Sequence, residues 1–230
     1  MSTVVEQGRC INKRCGSHDA GTWYADGSYH CFSCGYHIPP NGIVTYRSRQ
    51  KIQENQVNLI TLPDDTVSFI PQEPLDWLNK YGLSLEEVSN FGWSSNEEKL
   101  IYPVYVDKQV IFYWSRYFPQ REPKNFNSGS LENNPHILTS NGKYDTIYLV
   151  EDIVSAIKVN RTSDVLCLFG SNMRDSWLHK LRTRGYKRVC VWLDYDKRIN
   201  SIKLSSRLKT LFPNGAESVI TELDPKDHIK

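Results

Sequence analysis

The sequence lacks a large charge of either sign, because 28 Lys and Arg residues balance 26 Asp and Glu residues to a formal net charge of +2. This balance excludes a histone-like basic protein and an acidic tail, but it leaves room for a local basic groove, since net charge conceals patches. No segment approaches the roughly 20 apolar residues of a membrane helix. The first residues also lack the basic and apolar regions of a secretory signal. We therefore expect a cytoplasmic protein with no membrane partner.

The sequence also lacks the motif of a nucleotide-driven motor. It contains no Gly-x-x-x-x-Gly-Lys-Ser/Thr phosphate loop, which a helicase ATPase would need to cradle the nucleotide phosphates. Internal repeats and low-complexity runs are absent as well. The sequence therefore predicts that this chain has no helicase motor of its own.

The cysteines are the residues that say most about a possible metal site. Four of the six cysteines lie within 25 residues, with gaps of four, fifteen and two residues. In a reducing compartment such clustered thiols bind metal more often than they form disulfides, and two close ligand pairs joined by a hairpin suit a structural zinc ribbon. One cysteine could instead be free, with His18, His30 or His37 as the fourth ligand. The predicted ligands of one structural Zn²⁺ are Cys10, Cys15, Cys31 and Cys34.

Changes in composition and apolar pattern along the 230 residues predict three regions. Residues 1–40 read as a small β domain that binds zinc, and the polar residues 41–60 read as a flexible linker. Residues 61–230 form the globular bulk. Within it, residues 61–145 suggest short helices and a β-hairpin, and residues 146–230 alternate apolar strands with helices. That alternation indicates an α/β fold with a parallel sheet flanked by helices.

Acidic residues follow three of the predicted parallel strands. Glu151 comes directly after the first, and Asp194 and Asp196 follow the third. Asp224 and Asp227 come after the fourth. Because the carboxyl ends of parallel strands share one sheet edge, these carboxylates are expected to converge. Their mutual repulsion favours a hard divalent cation, Mg²⁺ or Mn²⁺, which can template phosphoryl transfer.

These blocks resemble a known family. The segments Val150-Glu151, Phe169-Gly170-Ser171 and Leu193-Asp194-Tyr195-Asp196 are similar to the pattern of a Toprim domain. The run from Asp26 to Gly35 resembles the zinc-binding domain of primases, and Trp114-Ser115-Arg116 with Pro123 to Ser128 resembles the basic segment that precedes Toprim. In this order the three blocks are similar to phage primases and to the primase half of phage primase-helicases.

The resemblance implies a DNA primase, a nucleotidyltransferase that makes short RNA primers on single-stranded DNA for replication. Residues 61–230 would then be its RNA polymerase domain, with residues 61–145 as a basic subdomain and 146–230 as the Toprim subdomain. Glu151, Asp194 and Asp196 would hold Mg²⁺ or Mn²⁺, with Asp227 or Asp224 completing the catalytic set. Arg116, Lys124 and Asn127 would bind nucleotide or template.

The implied partners are single-stranded DNA, NTPs, the RNA primer, a replicative helicase and a DNA polymerase, in the host cytoplasm if the source is viral.

This sequence departs from the family pattern at two positions. The family usually has Gly after the catalytic Glu and a further Asp four residues beyond that Glu, whereas this sequence has Asp152 and Ser155. A missing carboxylate would put full activity in question, and Asp152 offers a charge in its place.

Two other functions compete with primase. A recombination mediator also combines four-cysteine zinc with Toprim and binds DNA without catalysis, but its zinc cluster adjoins Toprim, whereas more than a hundred residues separate the two here. A Toprim nuclease is the second alternative, although an N-terminal zinc ribbon is unusual for it. Cys167 and Cys190 lie in apolar strands and are expected to be buried thiols.

Overall fold

In the computed structural model the described residues are 4–12, 15–39, 59–140, 142 and 144–229. The chain divides into two compact units, residues 1–56 and residues 57–230. Most of the predicted linker, residues 41–58, lies outside the described residues. None of the helices in the described ranges is long and apolar enough to cross a membrane.

The first unit is a four-stranded antiparallel sheet. Its strands are β1 (Val4–Gly8), β2 (Gly21–Tyr24), β3 (Tyr29–Cys31) and β4 (His37–Ile38), in that spatial order. Its core is small and centres on Tyr29, which is 1% exposed and packs against Trp23 with ring centroids 4.9 Å apart. Since so few residues are buried, the unit needs another source of stability, such as a metal.

The second unit begins with two helices and an antiparallel sheet. The helices are α1 (Gln72–Lys80) and the short α2 (Leu85–Val88), which starts with a capping box between Ser84 and Glu87. The strands β5 (Gly92–Ser94), β6 (Lys99–Val106), β7 (Gln109–Tyr117) and β8 (Asn125–Gly129) lie side by side in that order. The predicted hairpin around Asp107 joins β6 to β7, with Asp107 and Lys108 both at positive φ.

A mixed five-stranded sheet follows. Its strands are β9 (His136–Leu138), β10 (Thr146–Val150), β11 (Asp164–Cys167), β12 (Arg188–Val191) and β13 (Ala216–Ser218). The spatial order is β13-β12-β10-β11-β9, in which β10 to β13 are parallel and only the edge strand β9 is antiparallel. Strand β11 is buried along its whole length, which explains the apolar run that follows Asp164.

Three helices connect the parallel strands, and a fourth follows the last strand. They are α3 (Ile153–Asn160), α4 (Asp175–Thr183), α5 (Arg198–Leu208) and the short α6 (Pro225–His228), with a 3₁₀ turn at Tyr195–Lys197 before α5. The predicted fold class is therefore confirmed: a small β ribbon, an α+β region and a helix-flanked sheet of mainly parallel strands.

The two sheets of the second unit share one hydrophobic core. Phe112 of β7 packs against Phe169, which follows β11, with ring centroids 4.7 Å apart. Asn127 of β8 donates a hydrogen bond of 3.0 Å to the Phe169 carbonyl. Trp177 of α4 is 1% exposed and donates its indole N–H to the Leu131 carbonyl at 2.7 Å. These contacts fix the antiparallel sheet against the carboxyl ends of the parallel strands.

Trp177→Phe is expected to destabilise the second unit by about 1–3 kcal/mol, because it leaves the buried Leu131 carbonyl without a donor and opens a void. Urea unfolding followed by circular dichroism measures this loss. Leu85→Ala is the control, since Leu85 is 87% exposed and should change stability by less than about 0.5 kcal/mol. Equal effects of the two substitutions would contradict the assigned role of Trp177.

Candidate functional site

The four N-terminal cysteines meet at one point of the first unit. Cys10 follows β1, Cys15 lies in the next loop, Cys31 ends β3, and Cys34 lies in the turn before β4. All four Sγ atoms lie within 4.8 Å of one another. The Cys10 and Cys34 sulfurs are 3.7 Å apart, and those of Cys15 and Cys31 are 3.8 Å apart.

These separations fit a tetrahedral metal. Thiolates about 2.3 Å from a tetrahedral zinc lie about 3.8 Å from each other, and a disulfide would need about 2.05 Å. The backbone amide of Asn12 points at the Cys10 sulfur at 3.4 Å, which stabilises a thiolate. The Ser17 amide lowers the pKa of Cys15 to about 7, whereas burial raises that of Cys10 to about 11. The cluster thus fits one zinc ion, which would supply the compensating charge, and the histidine alternatives are not needed.

A cavity of about 360 Å³ lies in the second unit, at the carboxyl ends of β10 and β12. Glu151 and Asp194 reach it from the parallel sheet, and Arg116, Lys124 and Asn127 reach it from β7, β8 and the loop between them. Thus five of the sequence-predicted site residues line a single cavity. Trp77, Tyr81 and Trp114 add an aromatic wall that the sequence analysis did not assign.

Asp196, Asp224 and Asp227 do not line this cavity. The Asp196 side chain is 69% exposed and pairs with Lys197 at 2.6 Å, and Asp227 is exposed on α6. Asp224 precedes α6 and accepts a hydrogen bond of 2.9 Å from the Tyr195 amide. The roles predicted for these three residues stay predictions.

Asp152 and Ser155, the two departures from the family pattern, act together. Asp152 is the N-cap of α3, where its Oδ1 accepts hydrogen bonds from the amides of Val154 and Ser155 at 2.9 and 3.0 Å. Its Oδ2 accepts a hydrogen bond of 2.8 Å from the fully buried Ser155 hydroxyl. The pair therefore builds the start of the helix that follows the Glu151 strand, and an Asp-x-x-Ser pattern could have indicated this cap.

Lys226 is the main residue that the sequence analysis missed. Its Nζ lies 2.9 Å from Asp194, 3.0 Å from Asp152 and 3.2 Å from Asp224. Burial opposes its charge, but the carboxylates of Asp152 and Asp194 outweigh this effect and raise the pKa of Lys226. The only signal in the sequence was its place between Asp224 and Asp227.

Two carboxylate oxygens in the cavity remain without a hydrogen-bond partner. They are Glu151 Oε2 and Asp194 Oδ1, and both are buried. Burial raises the pKa of Glu151, and it raises the pKa of Asp194 to about 7. Because an unpaired buried carboxylate is costly, these two oxygens fit a hard divalent cation such as Mg²⁺ or Mn²⁺.

Arg116 is the main positive group on the opposite wall. Its guanidinium stacks on Trp77 at 4.7 Å and donates to the neutral side chains of Asn125 and Gln120 at 3.2 and 3.0 Å. It makes no ion pair within the described part of the chain, and burial lowers its pKa. A guanidinium held without a carboxylate partner is suited to bind an anion such as a phosphate.

Comparison with known proteins identifies the architecture. No family model and no curated protein matches the sequence. The zinc-binding and RNA polymerase domains of the Aquifex aeolicus primase superimpose with a TM-score of 0.51 at 12% identity, over 99% of this chain and 77% of that chain. The fold is that of a primase core.

Two further primase structures are similar at lower scores. The Escherichia coli primase catalytic core has a TM-score of 0.48 at 14% identity, over 66% of this chain and 67% of that one. The primase domains of bacteriophage T7, in a complex with lagging-strand DNA polymerase and an RNA/DNA hybrid, have a TM-score of 0.41 at 12% identity, over 98% and 91% of the two chains. The assignment of the primase fold rests on the first structure.

Metal analysis of the purified protein should find about one zinc per chain, since the four thiolates form a single closed site. Cys31→Ser is expected to lose most of this zinc and to unfold the first unit, because a small metal-bound domain folds with its metal. Limited proteolysis should then cut within residues 1–56 while the far-UV signal of the second unit persists.

Cys190→Ser is the matched control, because Cys190 is a buried thiol outside the zinc cluster that donates to Glu217. It should keep about one zinc per chain. A zinc content well below one in the unaltered protein, or unfolding of both units in Cys31→Ser, would contradict this assignment.

Proposed function

We propose that this protein is a DNA primase that synthesises short RNA primers from NTPs on single-stranded DNA. The observation that carries the proposal is the cavity of the second unit. Glu151 and Asp194 each place a carboxylate oxygen without a hydrogen-bond partner on one side, and the Arg116 guanidinium, which has no carboxylate partner, lies on the other. Transfer of a nucleotidyl group needs cation-binding carboxylates on one side and positive side chains for the phosphates on the other.

The reaction would join a primer 3′-hydroxyl to the α-phosphorus of an NTP. The new bond is the phosphodiester, the bond to the β-phosphate breaks, pyrophosphate leaves, and the hydroxyl proton passes to solvent. A bound Mg²⁺ or Mn²⁺ would supply charge neutralisation for the triphosphate. Glu151 Oε2 and Asp194 Oδ1 are the atoms that would hold it.

Residues of the antiparallel sheet would position the nucleotide. Arg116 would bind a phosphate through its guanidinium, whose orientation is set by stacking on Trp77 and by the Asn125 and Gln120 side chains. Lys124 is exposed at the cavity and would add a second positive charge. Asn127 uses its amide N–H on the Phe169 carbonyl, so in this proposal its side-chain oxygen is the atom left for nucleotide or template.

The zinc-binding unit would contact the template and the nascent primer. Phe32 is 58% exposed beside the zinc cluster, and an exposed aromatic ring can stack on an unpaired base. The proposal includes a replicative helicase in trans and a DNA polymerase that extends the primer as partners. It also includes a cytoplasmic location, which is the host cytoplasm if the source is viral.

The test is primer synthesis in vitro. Purified protein is incubated with single-stranded templates of varied sequence, labelled NTPs and Mg²⁺ or Mn²⁺, and short RNA products are resolved on gels. The unaltered protein should make them, and Glu151→Gln and Asp194→Asn should reduce the yield by at least about 100-fold, because each removes charge that the transition state needs.

Asp175→Asn is the matched control, because Asp175 lies on α4 with a side chain that is 91% exposed. It should leave the yield unchanged. DNA binding without RNA products under every template and metal condition would overturn the proposal and favour the non-catalytic mediator. Cleavage of the template would instead favour the nuclease.

A further inference from the structure

The Lys226 side chain fills the centre of an acidic cluster. Its ammonium lies 2.9, 3.0 and 3.2 Å from carboxylate oxygens of Asp194, Asp152 and Asp224. A lysine ammonium carries three protons, so the three carboxylates satisfy all of its donors. The side chain is only 16% exposed, which makes this an enclosed ion-pair cluster rather than a surface salt bridge.

The backbone of Lys226 is anchored independently of these ion pairs. Lys158 of α3 is 4% exposed and donates from its Nζ to the Lys226 carbonyl at 2.7 Å. Pro225, at the first position of α6, is buried. Two elements of the fold therefore hold the lysine where its side chain enters the cluster.

The ammonium divides the carboxylate oxygens in and beside the cavity into two sets. Asp152 Oδ2, Asp194 Oδ2 and Asp224 Oδ2 contact Lys226. Glu151 Oε2 and Asp194 Oδ1 are buried and free of partners. Among the described residues, the four cysteines are the group of three or more possible ligands that could hold a metal ion. The carboxylates of Asp152, Asp194 and Asp224 thus surround the lysine ammonium at hydrogen-bond distances.

From this arrangement we infer that Lys226 is a resident cation, which replaces one of two divalent ions, so that the cavity binds a single divalent ion at Glu151 and Asp194. Phosphoryl-transfer sites commonly hold two ions about 3.5–4 Å apart that share ligands. Here Asp194 is the shared group, with Oδ2 on the ammonium and Oδ1 free. The inference rests on the proposed function, since it specifies the cation content of that site.

Charge favours this arrangement over displacement of the lysine. A second divalent ion would have to break three charge-assisted hydrogen bonds and leave the ammonium unpaired in a partly buried cavity. It would also have to bind close to the ion held by Glu151 and Asp194. Removing the ammonium instead leaves three carboxylates to repel one another, which raises their affinity for added cations.

Manganese binding to the zinc-loaded protein tests the inference without nucleotides. Calorimetry, together with electron paramagnetic resonance of free Mn²⁺, gives the number of ions bound. The unaltered protein should bind one Mn²⁺ per chain. Lys226→Met should bind two, with the first at least about tenfold tighter, because a neighbouring positive charge has been removed.

Two further variants separate charge from structure. Lys226→Arg keeps the positive charge and should still bind one Mn²⁺, and Lys180→Met, on the exposed side of α4, should match the unaltered protein. Thermal unfolding should show that Mn²⁺ raises the melting temperature of Lys226→Met more than that of Lys226→Arg. The shift in melting temperature on adding Mn²⁺ depends on cation binding. A purely structural role of Lys226 would not make this shift differ between the two variants.

Two Mn²⁺ ions in the unaltered protein would overturn the inference, since Lys226 would then leave the cluster when metal binds. An unchanged stoichiometry and affinity in a folded Lys226→Met would overturn it as well. The outcome is independent of primer synthesis: one bound ion with no RNA products would reject the proposed function alone, and primers made with two bound ions would reject the role of Lys226 alone.

Discussion

Three carboxylates around one lysine ammonium form the interaction on which the candidate site depends. Asp152, Asp194 and Asp224 come from the start of α3, the end of β12 and the start of α6, and Lys226 joins all three. Without a cation these charges would repel one another at the edge of the sheet. The cluster therefore both offsets part of the negative charge at this edge and fixes α6 against the parallel strands.

The local sequence builds this cluster with two residues that differ from the Toprim pattern. Asp152 caps α3, and the buried Ser155 donates to the same carboxylate that receives Lys226. Because Asp152 Oδ1 already accepts hydrogen bonds from two backbone amides, Asp152 is better suited to pair with an ammonium than to hold a metal alone. Asp152, Ser155 and Lys226 thus form one arrangement, in which we infer that a side-chain cation supplies charge that would otherwise come from a bound ion.

Much of the fold could be predicted because apolar periodicity reports burial. The cores of β10, β11 and β12 appeared as uninterrupted apolar runs, and the cysteine spacing predicted the zinc site. The edge strand β9 was missed, because a half-buried three-residue strand has no period of its own and forms only by pairing with β11.

The site was predictable where a residue lies close to the end of a strand and less so beyond it. Glu151 directly follows β10, and Asp194 lies three residues beyond β12, and both reach the cavity. Asp194 and Asp196 would share a face if both lay in an extended strand, but β12 ends at Val191. The chain instead enters a 3₁₀ turn at Tyr195, which leaves Asp196 exposed beside Lys197. The role of Lys226 depends on three segments meeting in space, and no spacing along the chain encodes such a contact.

Anomalous diffraction from crystals grown with Mn²⁺ tests the central claim most directly. We expect one manganese peak in the cavity, bound by Glu151 and Asp194, with the Lys226 ammonium still in contact with Asp152, Asp194 and Asp224. A manganese peak at the position of the ammonium, with Lys226 turned out of the cluster, would contradict the account.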